Sequence, residues 1–263
     1  MEIIGYVLAV FIGISLGLIG SGGSILSVPV LVYFFALDAV TATSYSLFIV
    51  GSTSLIGLTQ YLKKKELDLK IAITFSIPSI IAVYSVRRFL MPELPEDLFT
   101  VSNIVIHRDS FIMLVFGLLM LLVAVKMILP TKKISTDSEA PKNYLLIALE
   151  GLVIGSITGF VGAGGGFLIV PALVIWMKLP MKKAISTSLF IVAAKSLLGF
   201  IGDVQSHVID WTLLLSISLV GIIGIFIGLW LNTIIDGKKL KVGFGWFVLI
   251  MAIFILSNEI FKL

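Results

Sequence analysis

The chain has 263 residues, of which 59% are hydrophobic and only 13% are charged. Soluble domains carry about 25% charged residues, so this composition excludes an ordinary soluble protein and indicates a membrane protein. The net charge of +4 comes from lysines in short loops, which the positive-inside rule explains without nucleic-acid binding.

Ten apolar segments are predicted to be helical. In chain order they cover residues 3–20, 25–37, 40–62, 69–87, 111–129, 144–162, 167–178, 184–202, 211–234 and 242–260. The first lacks a basic region and a small-residue cleavage site, so we expect a membrane helix and not a signal peptide. The second and seventh, of about a dozen residues, are short enough to be re-entrant half-helices instead of full crossings.

Lysine placement favours full crossings. If all ten segments change side, the lysines of 63–65, 132–133, 178–183 and 238–241 fall on one side, which the positive-inside rule makes cytoplasmic. If the two short segments are re-entrant, the first two clusters oppose the last two. Full crossing places both termini outside. Arg87 and Arg88 then also lie outside, and we interpret them as a positive outer vestibule or as anchors to lipid headgroups.

The two halves of the chain are copies of each other. Residues 12–57 align without a gap on residues 154–199 at a constant offset of 142 (154 − 12 = 142), with about 22 of the 46 pairs identical. Such a repeat defines the organisation of the chain. It gives a first repeat over 1–129, a polar linker loop over 130–143 and a second repeat over 144–263. We therefore predict an all-α polytopic membrane protein of two inverted repeats with about five helical segments each.

Both repeats carry a glycine-rich segment that is followed by a proline. The first reads GLIGSGGSILSVPVL (17–31) and the second reads GFVGAGGGFLIVPAL (159–173). Each clustered glycine weakens a helix by roughly 1 kcal/mol and permits turns that other residues resist. We expect a helix to end in each segment and a short helix to begin near Ser24 and near Gly166. Pro29 and Pro171 mark these breaks; close helix packing through small residues is the alternative interpretation.

The broken helices predict an anion site. The first turn of a helix has unpaired N–H groups and the positive end of the helix dipole, and N–H groups that point at one spot bind anions. We expect the two glycine-broken short helices to meet near the bilayer midplane, and matched breaks in two halves of a membrane chain indicate a transport site between the repeats. The candidate substrate-binding residues in the breaks are Gly20, Ser21, Gly22, Gly23, Ser24, Gly162, Gly164, Gly165 and Gly166.

Two serines and a lysine complete the candidate site. Ser46 and Ser188 occupy equivalent positions, where a hydroxyl either caps a helix or bonds a ligand. Lys195 lies inside an apolar segment, where a charge costs ~2.5–3.5 kcal/mol. We interpret it as an anion contact, with a structural ion pair or a snorkelling side chain as alternatives. Glu150 is predicted either to pair with Lys195 or to carry a proton.

Missing motifs argue against several other functions. The chain has no GxxxxGK(S/T) loop, which argues against ATP-driven pumping, and neither GxSxG nor HExxH occurs. It has no cysteine, which excludes thiol chemistry. His107 and His207 are its two histidines, too few for a histidine-rich metal site. We expect neither an enzyme nor a bound cofactor or metal.

The doubled motif, Gly20–Pro29 and Gly162–Pro171, together with Ser46–Phe48 and Ser188–Phe190, resembles the sulfite exporter family of the TauE/SafE type. These are small bacterial and archaeal anion permeases, and the resemblance covers nearly the full length in layout. It implies a multi-pass protein of the prokaryotic plasma membrane that transports, and often exports, sulfite, sulfoacetate or other organosulfur anions without ATP. Ser21 and Ser24 depart from the second copy, which has Ala163 and Gly166, so we do not expect two equivalent half-sites.

These features together predict a secondary transporter that exports a small anion, such as sulfite, sulfoacetate or another sulfonate, by alternating access. A passive anion channel and a lipid-handling membrane protein are the alternatives. The expected partners are the small anion and the lipid bilayer, but no nucleic acid. Coupling to protons and assembly into a homo-oligomer remain open.

Overall fold

The computed structural model describes residues 2–62, 67–101, 104–129, 143–162, 164–175, 177–204, 208–234 and 237–262. Most of the predicted linker, 130–142, lies outside these residues. The helices are α1 (Glu2–Ile19), a 3-10 helix (Gly20–Leu26), α2 (Ser27–Phe34), α3 (Ala39–Leu62), α4 (Leu69–Ser85) with a π-helical extension (Val86–Leu90), α5 (Met91–Glu93), α6 (Arg108–Ile128), α7 (Tyr144–Val161), α8 (Gly166–Ile175), α9 (Met181–Val204), α10 (Trp211–Ile234) and α11 (Gly237–Lys262).

The structure is that of a mainly helical, multi-pass membrane protein, as predicted. Among the described residues, six helices are long and apolar enough to cross a membrane: Ala39–Tyr61, Leu69–Glu93, Arg108–Lys126, Tyr144–Val161, Lys183–Val204 and Trp211–Ile234. Shorter apolar helices cover Ile3–Ile19, Ser24–Phe34 and Gly245–Phe261. The spans in α3 and α9 are 72% buried, against 39% for the other four, so these two helices form the centre of the bundle.

An antiparallel hairpin, β1 (Asp97–Val101) and β2 (Ile104–His107), interrupts the helical fold before α6. Phe99 pairs with Ile106 across the hairpin, and the N–H of Arg108 donates to Glu96 O at 2.8 Å. β-branched residues in this stretch favour strands. The all-helical prediction missed the hairpin because its strands are short and follow no strict alternation of polar and apolar residues.

The first short segment folds back along α1. An added Cβ on Gly5 would lie 2.7 Å from the ring of Phe35, which directly follows α2. The rings of Tyr6 and Phe35 also meet edge to face at 5.3 Å. The 3-10 helix and α2 therefore return together to the level at which α1 begins.

Helix α1 packs closely along α10 through its glycines. An added Cβ on Gly13 would lie 1.9 Å from the carbonyl oxygen of Gly221, and one on Gly17 would lie 2.5 Å from that of Ile225. Small residues such as these glycines permit such a close approach between membrane helices. From one contact to the next, the residue numbers rise along both helices, so α1 and α10 run in the same direction.

Helix α7 packs on α4 in the same manner. An added Cβ on Gly155 would lie 2.7 Å from the carbonyl oxygen of Ser79, and one on Gly159 would lie 3.1 Å from Cα of Val83. The residue numbers again rise along both helices from one contact to the next, so α7 and α4 run in the same direction. The first helix of each half thus packs against a helix of the other half.

The repeat extends beyond the aligned sequence. Ser79 and Val83 on α4 occupy the positions that Gly221 and Ile225 occupy on α10. Both pairs are separated by the repeat offset (221 − 79 = 142 and 225 − 83 = 142). Helices α4 and α10 are therefore equivalent elements, although their sequences differ too much for the alignment to show it.

The two central helices cross in opposite directions. An added Cβ on Gly51 would lie 2.9 Å from Leu197, and Gly57 lies opposite Leu189 at 3.9 Å. From the first contact to the second, the residue numbers rise along α3 but fall along α9. The two helices are therefore antiparallel.

Each central helix also runs parallel to one long neighbour. Along α3, Thr53 faces Gly221 and Gly57 faces Ile225 of α10. Along α9, Gly199 faces Val83 and Gly202 faces Arg87 of α4. In both pairs the residue numbers rise together, so α1, α3 and α10 share one direction, and α4, α7 and α9 share a second.

Replacing Gly13 with alanine is expected to destabilise the bundle by about 1–3 kcal/mol, because the methyl group would overlap the Gly221 carbonyl and force α1 from α10. The matched control is Gly243→Ala on α11, where an added Cβ meets nothing within 4 Å. Thermal unfolding in detergent, followed by size-exclusion chromatography, measures both variants. Equal melting temperatures would contradict the close packing of α1 on α10.

Candidate anion site

The first break lies where predicted but has a different geometry. Helix α1 ends at Ile19, and Gly20 has a φ of +74°, a conformation that glycine adopts without strain. A 3-10 helix then runs to Leu26, and α2 begins at Ser27, three residues after the predicted start at Ser24. At 21–23 the structure describes the backbone alone, so the predicted ligand contacts of Ser21, Gly22 and Gly23 lie outside the description.

The second break matches the prediction in position. Helix α7 ends at Val161, and Gly162, Gly164 and Gly165 have φ values of +71°, +62° and +65°. Three left-handed residues reverse the chain, and α8 begins at Gly166. These positions require glycine because other residues rarely adopt such φ values.

The first N–H groups of α8 have no acceptor within that helix. The N–H groups of Leu168 and Ile169 both donate to Gly165 O at 3.1 Å. The N–H groups of Gly166 and Phe167 precede them and have no acceptor within the helix. The positive end of the α8 dipole is therefore at the second break.

The prolines lie inside the helices that follow the breaks. Pro29 is the third residue of α2, where no intrahelical N–H bond is lost. Pro171 is the sixth residue of α8, where it removes one. The chain reversals themselves occur at the glycines with positive φ.

The two breaks meet beside the middle of α3. An added Cβ on Gly164 would lie 3.4 Å from Cβ of Ser24 and 2.6 Å from a methyl group of Val50. Ser24 is fully buried, and its Oγ has no hydrogen-bond partner among the described residues. The predicted contact between the two broken segments is therefore present.

Lys195 lies against the second break. Its side chain is fully buried, which rules out the snorkelling interpretation. Nζ donates to Oγ1 of Thr158 at 2.8 Å, and an added Cβ on Gly165 would lie 2.6 Å from Nζ. An ammonium group has three donors, and this hydrogen bond uses one of them. Glu150 is half-buried on α7, and the described residues contain no ion pair between it and Lys195.

Arg87 is a second buried cation at this break. It lies in the π-helical extension of α4 and is fully buried. Its Nη1 donates to Oγ1 of Thr43 at 3.0 Å and lies 3.4 Å from Oδ2 of Asp203. Both earlier interpretations of Arg87, an outer vestibule and a lipid anchor, are therefore wrong.

The position of Arg87 follows from helical spacing. Phe75, Ser79 and Val83 are buried at steps of four residues along α4, and Arg87 is the next step on the same face. That spacing was the available signal in the sequence. The adjacent Arg88 favoured a different interpretation, because two neighbouring arginines resemble a cluster at the membrane surface.

Two nitrogens of Arg87 remain unpaired. Nε and Nη2 have no hydrogen-bond partner among the described residues, and an added Cβ on Gly162 would lie 2.5 Å from Nη2. Buried polar groups are nearly always hydrogen-bonded. A bound anion at Gly162–Gly165 would satisfy these donors together with those of Lys195.

The two breaks differ in chemistry at equivalent positions. At the second break, an added Cβ on Gly162 would lie 2.1 Å from Cβ of Thr43. At the first break the equivalent residue is Gly20, and an added Cβ there would lie 2.9 Å from Ile185 (162 − 20 = 142 and 185 − 43 = 142). A hydroxyl-bearing residue is thus replaced by an aliphatic one.

The buried cations have no charged counterparts in the other half. The repeat offset relates Lys195 to Thr53 (195 − 53 = 142), and it relates Arg87 to Leu229 through the equivalence of α4 and α10 (229 − 87 = 142). Both positive charges therefore lie at the second break. This asymmetry favours one anion site over a symmetric cradle.

Ser46 and Ser188 are fully buried and bonded within the protein. Ser27 donates to Ser24 O at 2.7 Å, so Ser46 donates in its 2.5 Å hydrogen bond with the Ser27 hydroxyl. Ser188 donates to Ile185 O at 2.8 Å. Both hydroxyl hydrogens are used by the bundle, and a contact between either serine and a ligand stays a prediction.

Comparisons with known proteins identify the family of the chain. A sequence model of the family described as Sulfite exporter TauE/SafE matches residues 6–255. A probable membrane transporter protein of Xylella fastidiosa (strain 9a5c) is 28% identical over 253 residues, with 93% of this chain and 91% of the relative covered. One of Methanocaldococcus jannaschii is 26% identical over 270 residues, with 95% and 94% covered. No solved structure matches the chain significantly. The chain is a membrane transporter and not an enzyme, and it belongs to the sulfite exporter TauE/SafE family.

Proposed function

We propose that the protein exports a small anion, such as sulfite, sulfoacetate or another sulfonate, by alternating access without ATP. The supporting observation is the pair of buried cations, Lys195 and Arg87, whose Nζ and Nη2 atoms lie against the second break. Buried charges inside membrane bundles are costly and mark substrate pathways. The family description, which names sulfite export, supports a sulfur oxyanion as the cargo.

The anion would bind where three kinds of donor converge. Lys195 supplies an ammonium group beside Gly165, and Arg87 supplies a guanidinium nitrogen beside Gly162. Gly166 supplies a backbone N–H at the positive end of α8. Charge-assisted hydrogen bonds of this kind are about twice as strong as neutral ones. Ser24, whose hydroxyl has no hydrogen-bond partner among the described residues, would contact the anion from the first break.

The two halves would be inverted relative to each other. Helix α1 shares its direction with α3 and α10, whereas α7 shares the opposite direction with α4 and α9. If the two short segments were re-entrant, α3 and α9 would instead run parallel. The helix directions therefore support ten crossing segments, which would place both termini outside the cell membrane.

Alternating access would follow from two pairs of helices, each made of one helix from each half. Helices α1 and α10 come from different halves but pack as one unit through glycines, as do α4 and α7. We propose that these units rock about the central α3–α9 pair and expose the anion to each side in turn. A membrane potential that is negative inside drives anion efflux by ~2.3 kcal/mol per charge per 100 mV.

Replacing Lys195 with methionine is expected to reduce sulfite efflux at least about tenfold, because a lost charge-assisted contact costs roughly 1.5–3 kcal/mol. Purified protein in proteoliposomes loaded with radiolabelled sulfite, at fixed voltage, provides the measurement. Lys183→Met is the matched control, since Lys183 is exposed at the start of the same helix. Wild-type efflux in Lys195→Met would remove this lysine from the site.

The same liposomes distinguish a carrier from a channel. Unlabelled sulfite outside the liposomes is expected to accelerate the exit of labelled sulfite, because a carrier returns faster when it is loaded. A channel gives no such acceleration and a flux that does not saturate. Either of those two results would contradict alternating access.

We further propose that Glu150 carries a coupled proton, because it is half-buried in α7 and its Oε2 has no hydrogen-bond partner among the described residues. Glu150→Gln is expected to abolish the dependence of sulfite efflux on an imposed pH gradient and to leave the voltage dependence intact. The matched control is Glu93→Gln, at an exposed position. An unchanged response to the pH gradient in Glu150→Gln would mean that it is not the proton carrier.

A further inference from the structure

We infer that Asp203 determines the charge of the anion that the protein accepts, and that it restricts transport to singly charged anions. This inference rests on the proposed anion site at the second break. It assigns a specificity role to Asp203 and Arg87, which sequence analysis did not place in the site. It also narrows the cargo to species such as hydrogensulfite and simple alkylsulfonates.

The buried charges near the second break leave one positive charge in excess. Among the described residues, the fully or almost fully buried ionic side chains are Arg87, Lys195, Asp203 and Glu259. Glu259 accepts a hydrogen bond from Tyr33 at 3.1 Å, between α11 and α2. The remaining three carry two positive charges and one negative charge, so their net charge is +1 (2 − 1 = 1).

The three side chains are close enough to act on one ligand. Nη2 of Arg87 lies 2.5 Å from an added Cβ on Gly162, and Nζ of Lys195 lies 2.6 Å from one on Gly165. The Cα atoms of two residues three positions apart are separated by at most ~11 Å. A ligand at this turn therefore interacts with both cations, and Asp203 acts on it through its ion pair with Arg87.

Asp203 adds negative charge without blocking the ligand face of Arg87. Its carboxylate approaches Nη1 at 3.4 Å, whereas Nε and Nη2 have no hydrogen-bond partner in the part of the chain that the structure describes. Nη2 is also the atom that faces Gly162. The guanidinium can therefore pair with Asp203 and bind an anion at the same time.

The net charge of +1 favours a monoanion for an electrostatic reason. A buried site is most stable when its charges sum to zero, because an uncompensated charge away from water is costly. One negative charge neutralises the cluster. A dianion leaves one negative charge in excess, close to the carboxylate of Asp203.

The test compares methanesulfonate, a monoanion, with sulfate, a dianion, in proteoliposomes at fixed voltage. The wild type is expected to transport radiolabelled methanesulfonate in preference to sulfate. Asp203→Asn raises the cluster to a net charge of +2 and is expected to shift the ratio toward sulfate about tenfold, as Coulomb coupling across ~10 Å at an effective dielectric of ~20 implies. Asp210→Asn is the matched control, because Asp210 is an exposed cap of α10 that asparagine can replace.

A double variant distinguishes the effect of net charge on selectivity from the effect of local contacts. Arg87→Gln combined with Asp203→Asn restores a net charge of +1, carried by Lys195 alone, and is expected to restore the preference for methanesulfonate. A ratio that stays at the Asp203→Asn value would overturn the role of net charge. So would a wild type that prefers sulfate, a result that does not depend on how well any variant folds. If monodisperse wild type transports neither anion nor sulfite, the proposed function itself fails.

Discussion

The glycines at 162 and 165 bring the backbone against two buried cations, and the candidate site depends on that approach. Their left-handed φ values reverse the chain between α7 and α8, and their missing side chains leave room for Lys195 and Arg87. A methyl group at either position would both strain the backbone and occupy the space of a cation. Each glycine therefore serves the turn and the site at once.

The symmetry of the bundle explains how the site is held in place. The first helix of each half packs on a helix of the other half, so neither half can separate its parts without moving the other. Arg87 comes from the π-helical extension of α4 in the first half and Lys195 from α9 of the second, and both lie near the break of the second half. In the proposed mechanism, a site assembled from both halves would respond to their relative motion, as alternating access requires.

The two halves differ in their buried charges. Equivalent positions carry Lys195 and Thr53 on the central helices, and Arg87 and Leu229 on their long neighbours. A repeat needs only small and apolar residues to keep its packing, whereas a charge inside it needs a separate reason. The anion binding that we propose at one break would supply that reason for both cations.

The sequence predicted the helices and the position of both breaks, because glycine clusters and apolar length are local signals. It also singled out Lys195 as a candidate, since a lysine inside an apolar segment is visible without a structure. It did not single out Arg87 or Asp203 as candidates for the site. Their pairing joins α4 to the end of α9, and tertiary contacts of that kind leave no periodic mark in one sequence. The 3-10 geometry after Gly20 was missed for a related reason: glycine permits several turns, and the packing around it selects one.

Selenite, the selenium analogue of sulfite, would locate the anion directly. Crystals of the wild-type protein grown with selenite, measured at the selenium absorption edge, are expected to show an anomalous peak within hydrogen-bond distance of Nζ of Lys195 and Nη2 of Arg87. A peak at the first break near Gly20, or an empty second break at saturating selenite, would contradict an anion site built on the two buried cations.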